Sequence, residues 1–254
     1  MIPNPTERFT GRVESYRRYR PGYPGEMVDL LRRECGLSDA SLVADVAAGT
    51  GLLTEVLLAA GLPVVAVEPN GEMRAACAEL EPKFPRLRCV AGTAEATGLP
   101  DASVDLITVA QAMHRFDRAK ARAEFARVLK PGGWCAVIYN DRRMSGDAFH
   151  DGYERLLREF GVDYFKVRHQ HVQEERLREF FAPGEMRRAV FPNRQTFDLA
   201  GLEGRVLSSS YMPQVGHPRF AEMKAAMERL FAENERDGAV TMEYECVVSY
   251  GQLK

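Results

Sequence analysis

Between residues 41 and 140, short β-branched runs alternate with helix-patterned stretches, and this alternation constrains the chain more than any other feature. SLVADVA, PVVAVE, LRCVAG, VDLITVA and GWCAVIYN read as strands. LLTEVLLAAG ends at Gly61, NGEMRAACAELE starts near Asn70, and RAKARAEFARVLK is stopped by Pro-Gly-Gly at 131–133; these read as helices. A helical crossover returns the chain to the same end of the sheet, so successive strands lie parallel. The expected fold class is α/β, with a Rossmann-like, doubly wound and mostly parallel sheet.

The rhythm changes near residue 141. SGDAFHDGYERLLREFGV and EERLREFFA are helix-patterned without leading quickly into a strand, which predicts a helical cap inserted at 141–185. RRAVF, DLAGLEGRVLSSS, PRFAEMKAAMERLFAENER and AVTMEYECVVSY then read as strand, helix, helix and closing strand. A polar leader rich in tyrosine and arginine occupies 1–24, and 254 residues suit one large domain over 1–254.

Lys plus Arg count 34 against 36 Asp plus Glu, a formal net charge of −2, which gives a polyanionic partner no general attraction. Nucleic acid is therefore not expected, even though YRRYR at 16–20 interleaves aromatic and basic side chains. The opening MIPNPTERFTGR lacks the apolar run of a signal peptide and no later segment has the length of a membrane span, so a cytoplasmic protein without membrane contact is expected. The five cysteines are scattered without a C-x-x-C pair, and His169 and His171 lack a third ligand, so no metal is expected. Oligomeric state is not legible.

Ligands of open α/β sheets lie beyond the carboxyl ends of the strands, where Asp45 to Gly51, Glu68 to Asn70 and Ala110 to His114 converge. Ala47-Ala48-Gly49-Thr50-Gly51 is an incomplete dinucleotide fingerprint, because Thr54 replaces its last glycine. No Lys or Arg lies between 44 and 60, whereas Asp45 precedes the turn and Glu55 follows it, so a phosphate would meet carboxylates and no cation. Glu68, at the end of the second strand, has the position from which a carboxylate accepts both ribose hydroxyls. Singly, each feature has a plain structural explanation as turn, cap or solvated charge. Together they describe a nucleoside that carries positive charge and no pyrophosphate, which S-adenosylmethionine satisfies.

DVAAGTG (45–51), VEPNGEM (67–73), GTAEATGLPDASVDLITVAQAMHRFD (92–117), RVLKPGG (127–133) and YRPGYP (19–24) resemble the class I S-adenosylmethionine-dependent methyltransferases. The similarity is to the small-molecule branch that includes trans-aconitate methyltransferases and quinone-ring C-methylating enzymes. That resemblance implies a seven-stranded sheet whose last strand is antiparallel. It implies that Ala47, Gly49, Thr50 and Gly51 hold the methionine part, with Asp45 near its ammonium group, and that Glu68 takes the ribose. Pro69 and Met73 would pack on adenine, Thr93, Ala94 and Glu95 would meet its edge, and Gln111 would complete the cofactor site. Tyr19 and Arg20 would reach the cofactor carboxylate or close the leader as a lid.

Two departures from the family pattern stand out. Ala47 replaces a glycine, which is tolerable only with a negative φ, and Thr93 stands where relatives carry Asp. His114 is the candidate general base and Arg115 replaces the family's tryptophan; toward the pocket it would favour an anionic acceptor, but a solvent-facing Arg115 is the stronger expectation. Tyr153, Phe160, Tyr164 and Phe165 of the insertion, together with Tyr211, could wall an acceptor pocket, although aromatics at helical spacing more often form plain core. The expected function is methyl transfer to a small molecule, with oxygen favoured over carbon or nitrogen. A nicotinamide-linked oxidoreductase and a catalytically silent S-adenosylmethionine-binding protein are the alternatives.

Overall fold

In this computed structural model the described residues are 13–162, 164, 174–209 and 211–253. One seven-stranded sheet runs in the order β3-β2-β1-β4-β5-β7-β6. Its strands are β1 (Val43–Val46), β2 (Val64–Val67), β3 (Leu87–Val90), β4 (Val104–Ala110), β5 (Leu129–Arg142), β6 (Arg187–Phe197) and β7 (Val240–Gly251). The pairs β1–β2, β2–β3, β1–β4 and β4–β5 are parallel, and β7 is antiparallel to β5 and β6. The chain leaves β1 toward β2 and β3, then crosses back to place β4 on β1's other side. The switch point between β1 and β4 opens a crevice at their carboxyl ends.

Every residue of β1 and β2 is buried, as expected for strands covered on both faces. On one face α2 (Glu26–Cys35) and α3 (Leu52–Ala59) bring Met27, Leu31, Leu53 and Leu57 against Val43, Val64, Leu106 and Ile138. On the other, Phe125 of α5 (Arg118–Val128) and Phe180 of α7 (Glu174–Phe181) meet edge-to-face, with centroids 6.1 Å apart, over Ala44, Val67 and Ile107.

A third cluster lies apart from the parallel strands. Tyr153 and Leu157 of α6 (Ala148–Phe160), Leu202 and Val206 of α8 (Leu199–Leu207) and Met223 and Met227 of α9 (Phe220–Asn234) pack with Met242 and Tyr244 of β7. The cap expected at 141–185 therefore divides. Its first helix joins this late-sequence cluster, while its second, α7, covers the main sheet, because Leu177, Phe180 and Phe181 form an apolar stripe that fits beside α5. Pro-Gly-Gly at 131–133 does not end α5, which stops at Val128; it forms an irregularity inside β5, where the register jumps from Leu129 to Trp134.

Of the leader, 1–12 lie outside the described residues, as do His169, His171 and Phe165. Helix α1 (Val13–Tyr19) is pinned by Arg17 to Glu79 at 2.6 Å, beside α4 (Gly71–Ala78), and by the Tyr19 ring, which covers Gly204 in α8. Only glycine at 204 leaves room for that ring. Among the described residues no helix is long and apolar enough to cross a membrane, and no group of His, Cys, Asp or Glu could hold a metal ion.

Candidate active site

The turn after β1 winds through three left-handed residues: Ala47 at φ +59°, Gly49 at +59° and Gly51 at +88°. Position 47 departs from the expectation of a negative φ. The turn needs the left-handed region there, and alanine accepts a strain of about 1–2 kcal/mol to provide it. A Cβ on Gly51 would lie 2.9 Å from Cys77 Sγ and 2.9 Å from Leu80 Cδ1. Gly51 thus serves the close approach of α3 to α4 and lines neither cavity described below, contrary to the expectation that it faces the cofactor.

At the end of β2, Glu68 is only 7% exposed and its carboxylate joins two loops. Oε2 accepts the Gly49 N–H at 2.9 Å and Oε1 accepts the Asn70 N–H at 2.9 Å. Burial raises its pKa above the usual carboxylate range, and those two amides pull it partly back. Asn70 then caps α4, its side chain accepting the Met73 N–H at 3.0 Å, which fixes Met73 beside the cleft.

An open cleft of about 860 Å³, counting space continuous with solvent, runs over these strand ends. Ala47, Gly49, Glu68, Pro69, Met73, Thr93, Ala94, Glu95 and Gln111 all line it, so nine residues singled out from sequence stand together. Gln111 is itself left-handed, at φ +56°, directly after β4; strained non-glycine residues of this kind collect at functional sites. A smaller cavity adjoins it, lined by Asp45, Ala47 to Thr50 and Tyr23.

Asp45 is 1% exposed, and both oxygens are already engaged: Oδ2 accepts from Thr54 Oγ1 at 2.6 Å and Oδ1 from Thr108 Oγ1 at 2.9 Å. Desolvation lifts its pKa to about 6. It sits under the turn as a support for two hydroxyls as well as a wall of the smaller cavity. Thr50 Oγ1, also in that wall, is buried and has no hydrogen-bond partner among the described residues. Such an orphan is costly unless a ligand completes it.

Several placements differ from the sequence reading. Glu55 points away and pairs with Lys83 at 2.9 Å on the surface, because its side of α3 faces solvent. Tyr19 and Arg20 line neither cavity; Arg20 Nη2 donates to the Ser208 carbonyl at 3.0 Å, tying the leader to α8. The leader aromatic at the glycine turn is Tyr23, four residues further along YRPGYP, which the sequence reading passed over. Arg115, expected in solvent, is exposed yet lines the cleft with Phe116, since the short helical turn Met113–Arg115 swings it over the opening.

His114 does not line the cleft. Its Nδ1 lies 3.4 Å from the hydroxyl of Tyr139, that same hydroxyl accepts the His114 N–H at 3.3 Å, and Arg115 Nε donates to Nε2 at 3.4 Å. Desolvation of Tyr139 pushes its phenol well above the ordinary range, so it is a neutral neighbour.

Residues 44–137 match the family described as "Methyltransferase domain". An uncharacterized methyltransferase of Mycobacterium tuberculosis is 44% identical over 134 residues, covering 53% of this chain and 52% of that protein. The chain thus spans about half the length of the curated relatives it matches. A structure described as a type II methyltransferase from Anaeromyxobacter dehalogenans superposes with a TM-score of 0.67 at 25% identity, covering 92% of this chain and 98% of that one. Haemonchus contortus phosphoethanolamine N-methyltransferase 2, solved with S-adenosyl-L-methionine, gives 0.58 at 14% identity, covering 98% and 60%. The seven-stranded, mostly parallel sheet is the methyltransferase Rossmann-like fold.

Proposed function

We propose that this chain, which carries a methyltransferase domain over 44–137, is an S-adenosylmethionine-dependent methyltransferase acting on a small molecule, with oxygen as the acceptor atom. The observation that carries the reading is Glu68: a carboxylate at the end of β2, held by the Gly49 and Asn70 amides and lining the cleft at the switch point. Each of its oxygens keeps an acceptor lone pair for a ribose hydroxyl. The smaller cavity under the turn has a carboxylate and no cation in its wall, which suits an ammonium and not a phosphate.

The residues present fit this cofactor. Thr50 offers a buried hydroxyl without a partner among the described residues, and Ala47 and Gly49 bring backbone close to both cavities. Pro69 and Met73 supply an apolar wall for a purine, Ala94 and Glu95 line the same cleft, and Thr93 stands beside them with a hydroxyl in place of the family's carboxylate. When bound, S-adenosylmethionine supplies a methyl group on a positively charged sulfur, an electrophile that needs no further activation.

The chain's own work is then to position an acceptor and exclude water. Gln111 and Arg115 line the cleft with Glu68, and the leader reaches the adjoining smaller cavity through Tyr23. Gly22's carbonyl accepts from Asn140 Nδ2 at 3.0 Å and Asn193 Nδ2 at 2.8 Å, so the leader is fastened to β5 and β6 as a strap. His114 as a general base would require its ring to leave the Tyr139 and Arg115 contacts. With Arg115 at the opening, an acid whose ionised oxygen takes the methyl group needs no base, and His114 instead supports Arg115.

The five free cysteines suit the reducing cytoplasm we propose as its location. Calorimetric titration with S-adenosylmethionine and S-adenosylhomocysteine, beside NADH, tests the donor. A methyl-transfer screen of carboxylic acids against phenols then tests the acceptor atom.

A further inference from the structure

Arg205, on α8 in the third cluster, is 6% exposed, yet no carboxylate lies within ion-pair distance of it among the described residues. Among the described residues its hydrogen bonds go to neutral oxygens: Nε donates to Tyr244 Oη at 3.3 Å and Nη1 to Ser209 Oγ at 3.2 Å. Tyr153, Tyr211 and Tyr244 are the charge-sensitive groups around it. A guanidinium held away from water without a counter-charge is among the least favourable arrangements a core can contain.

A second, independent oddity lies beside it. Tyr153 is 1% exposed, and its hydroxyl has no hydrogen-bond partner among the described residues. The other guanidinium in this region cannot explain it, because Arg142 stacks over the Tyr153 ring at 4.9 Å and is already neutralised by Glu154 at 2.5 Å. Glu154 is fully committed: it also pairs with Arg158 at 3.0 Å and accepts the Tyr164 hydroxyl at 2.6 Å. Among the described residues the cluster therefore holds one uncompensated positive charge and one idle hydroxyl, both enclosed.

Its place in the fold connects it to the cleft. Tyr244 pairs in register with Arg142 at the carboxyl end of β5. Two residues earlier on that strand, the Asn140 carbonyl accepts from the side chain of Gln111 at 3.3 Å, and Gln111 lines the cleft. Asn140 is also bonded to the leader through Gly22 and to Asn193 at 3.0 Å. The third cluster is thus joined to the cleft through β5 and the strap.

We propose that Arg205, with the hydroxyl of Tyr153, forms an anion subsite that seats a carboxylate of the methyl acceptor, making that acceptor an organic acid; the Tyr244 hydroxyl, which donates to Gln195 Oε1 at 2.9 Å, orients the guanidinium. The planar fork of a guanidinium matches the two oxygens of a carboxylate, and Tyr153 supplies a further donor. This assignment rests on the methyltransferase reading for its meaning, but not for its test.

The test uses the full chain saturated with S-adenosylhomocysteine and, in parallel, without it. Benzoate, salicylate, succinate and citrate are titrated beside the corresponding neutral amides, with inorganic phosphate and chloride as separate arms. At least one carboxylate is expected to bind about tenfold or more tightly than its amide and than either inorganic ion. Arg205→Met is expected to lose that binding about tenfold or more, with S-adenosylhomocysteine affinity unchanged and the melting temperature equal or higher, since an apolar side chain replaces an unpaired charge. Tyr153→Phe, which removes only the idle hydroxyl, should weaken carboxylate binding severalfold without loss of stability. Amides binding as well as acids, phosphate or chloride binding best, or both variants retaining full carboxylate affinity would overturn the subsite. Failure of S-adenosylhomocysteine to bind wild type would instead strike the donor assignment and leave the carboxylate arms readable.

Discussion

Asp45 Oδ1 accepts the hydroxyl of Thr108 at 2.9 Å, so the carboxylate that ends β1 is fastened to the strand on the opposite side of the switch point. Its other oxygen takes the Thr54 hydroxyl at 2.6 Å, which orients the first turns of α3. One buried carboxylate thereby fixes the spacing of the two walls between which the cleft opens.

That arrangement makes stability depend on pH. Burial raises the Asp45 pKa from 3.8 to about 6, so the fold favours the protonated acid. The stabilisation is fully present below about pH 3.8 and is lost as pH rises through about 6. Asp45→Asn, neutral at all pH, should gain up to about 3 kcal/mol relative to wild type between pH 4 and 7. Urea unfolding at those two pH values measures it, and an unchanged difference would assign the slope to other groups.

The left-handed turn gives opposite outcomes at two neighbouring positions. Ala47→Gly removes the cost of φ +59° and should raise stability by about 1 kcal/mol, a melting shift of about 2–4 °C for a chain of this size. Gly51→Ala must adopt φ +88° and push into Cys77 and Leu80, and should lose about 2 kcal/mol or more. Equal melting temperatures for the two variants would contradict the turn's geometry.

His114→Ala separates support from catalysis. A general base contributes about 10²–10⁴-fold, whereas a residue that only steadies Arg115 contributes far less. Turnover on a carboxylic acid acceptor should stay within about tenfold of wild type, without a new pH dependence between 5 and 8. A loss beyond a hundredfold at neutral pH, rescued by added imidazole, would reinstate His114 as the base.

Much of the sheet was legible because burial on both faces makes parallel strands apolar throughout, as in VVAV of β2, and because glycine and proline mark their ends. The cleft was legible for the same reason: Glu68, Met73 and Gln111 are fixed by where strands stop. What a strand's end does not encode is which way a helix or loop residue then turns. Glu55 faces solvent, Arg115 the opening and His114 Tyr139, through local contacts that leave no periodic trace. Arg205 was illegible altogether, since a basic residue in DLAGLEGRVL reads as a solvated face until Tyr153 and Tyr244 enclose it. Nor does a helical pattern tell which core its apolar stripe joins, which is why the expected cap was divided between two.

The most direct test is calorimetric titration of S-adenosylmethionine into wild type, Glu68→Gln and Glu68→Ala. Glutamine keeps one acceptor oxygen for the Gly49 or Asn70 amide but loses the charge and one acceptor, so it separates the ribose contact from the loss of the loop contacts in alanine. Affinity should fall by at least about 1.5 kcal/mol, more than tenfold, in the alanine variant, with glutamine between it and wild type. Undiminished affinity in both variants, or wild type that binds NADH and ignores S-adenosylmethionine, would contradict the account.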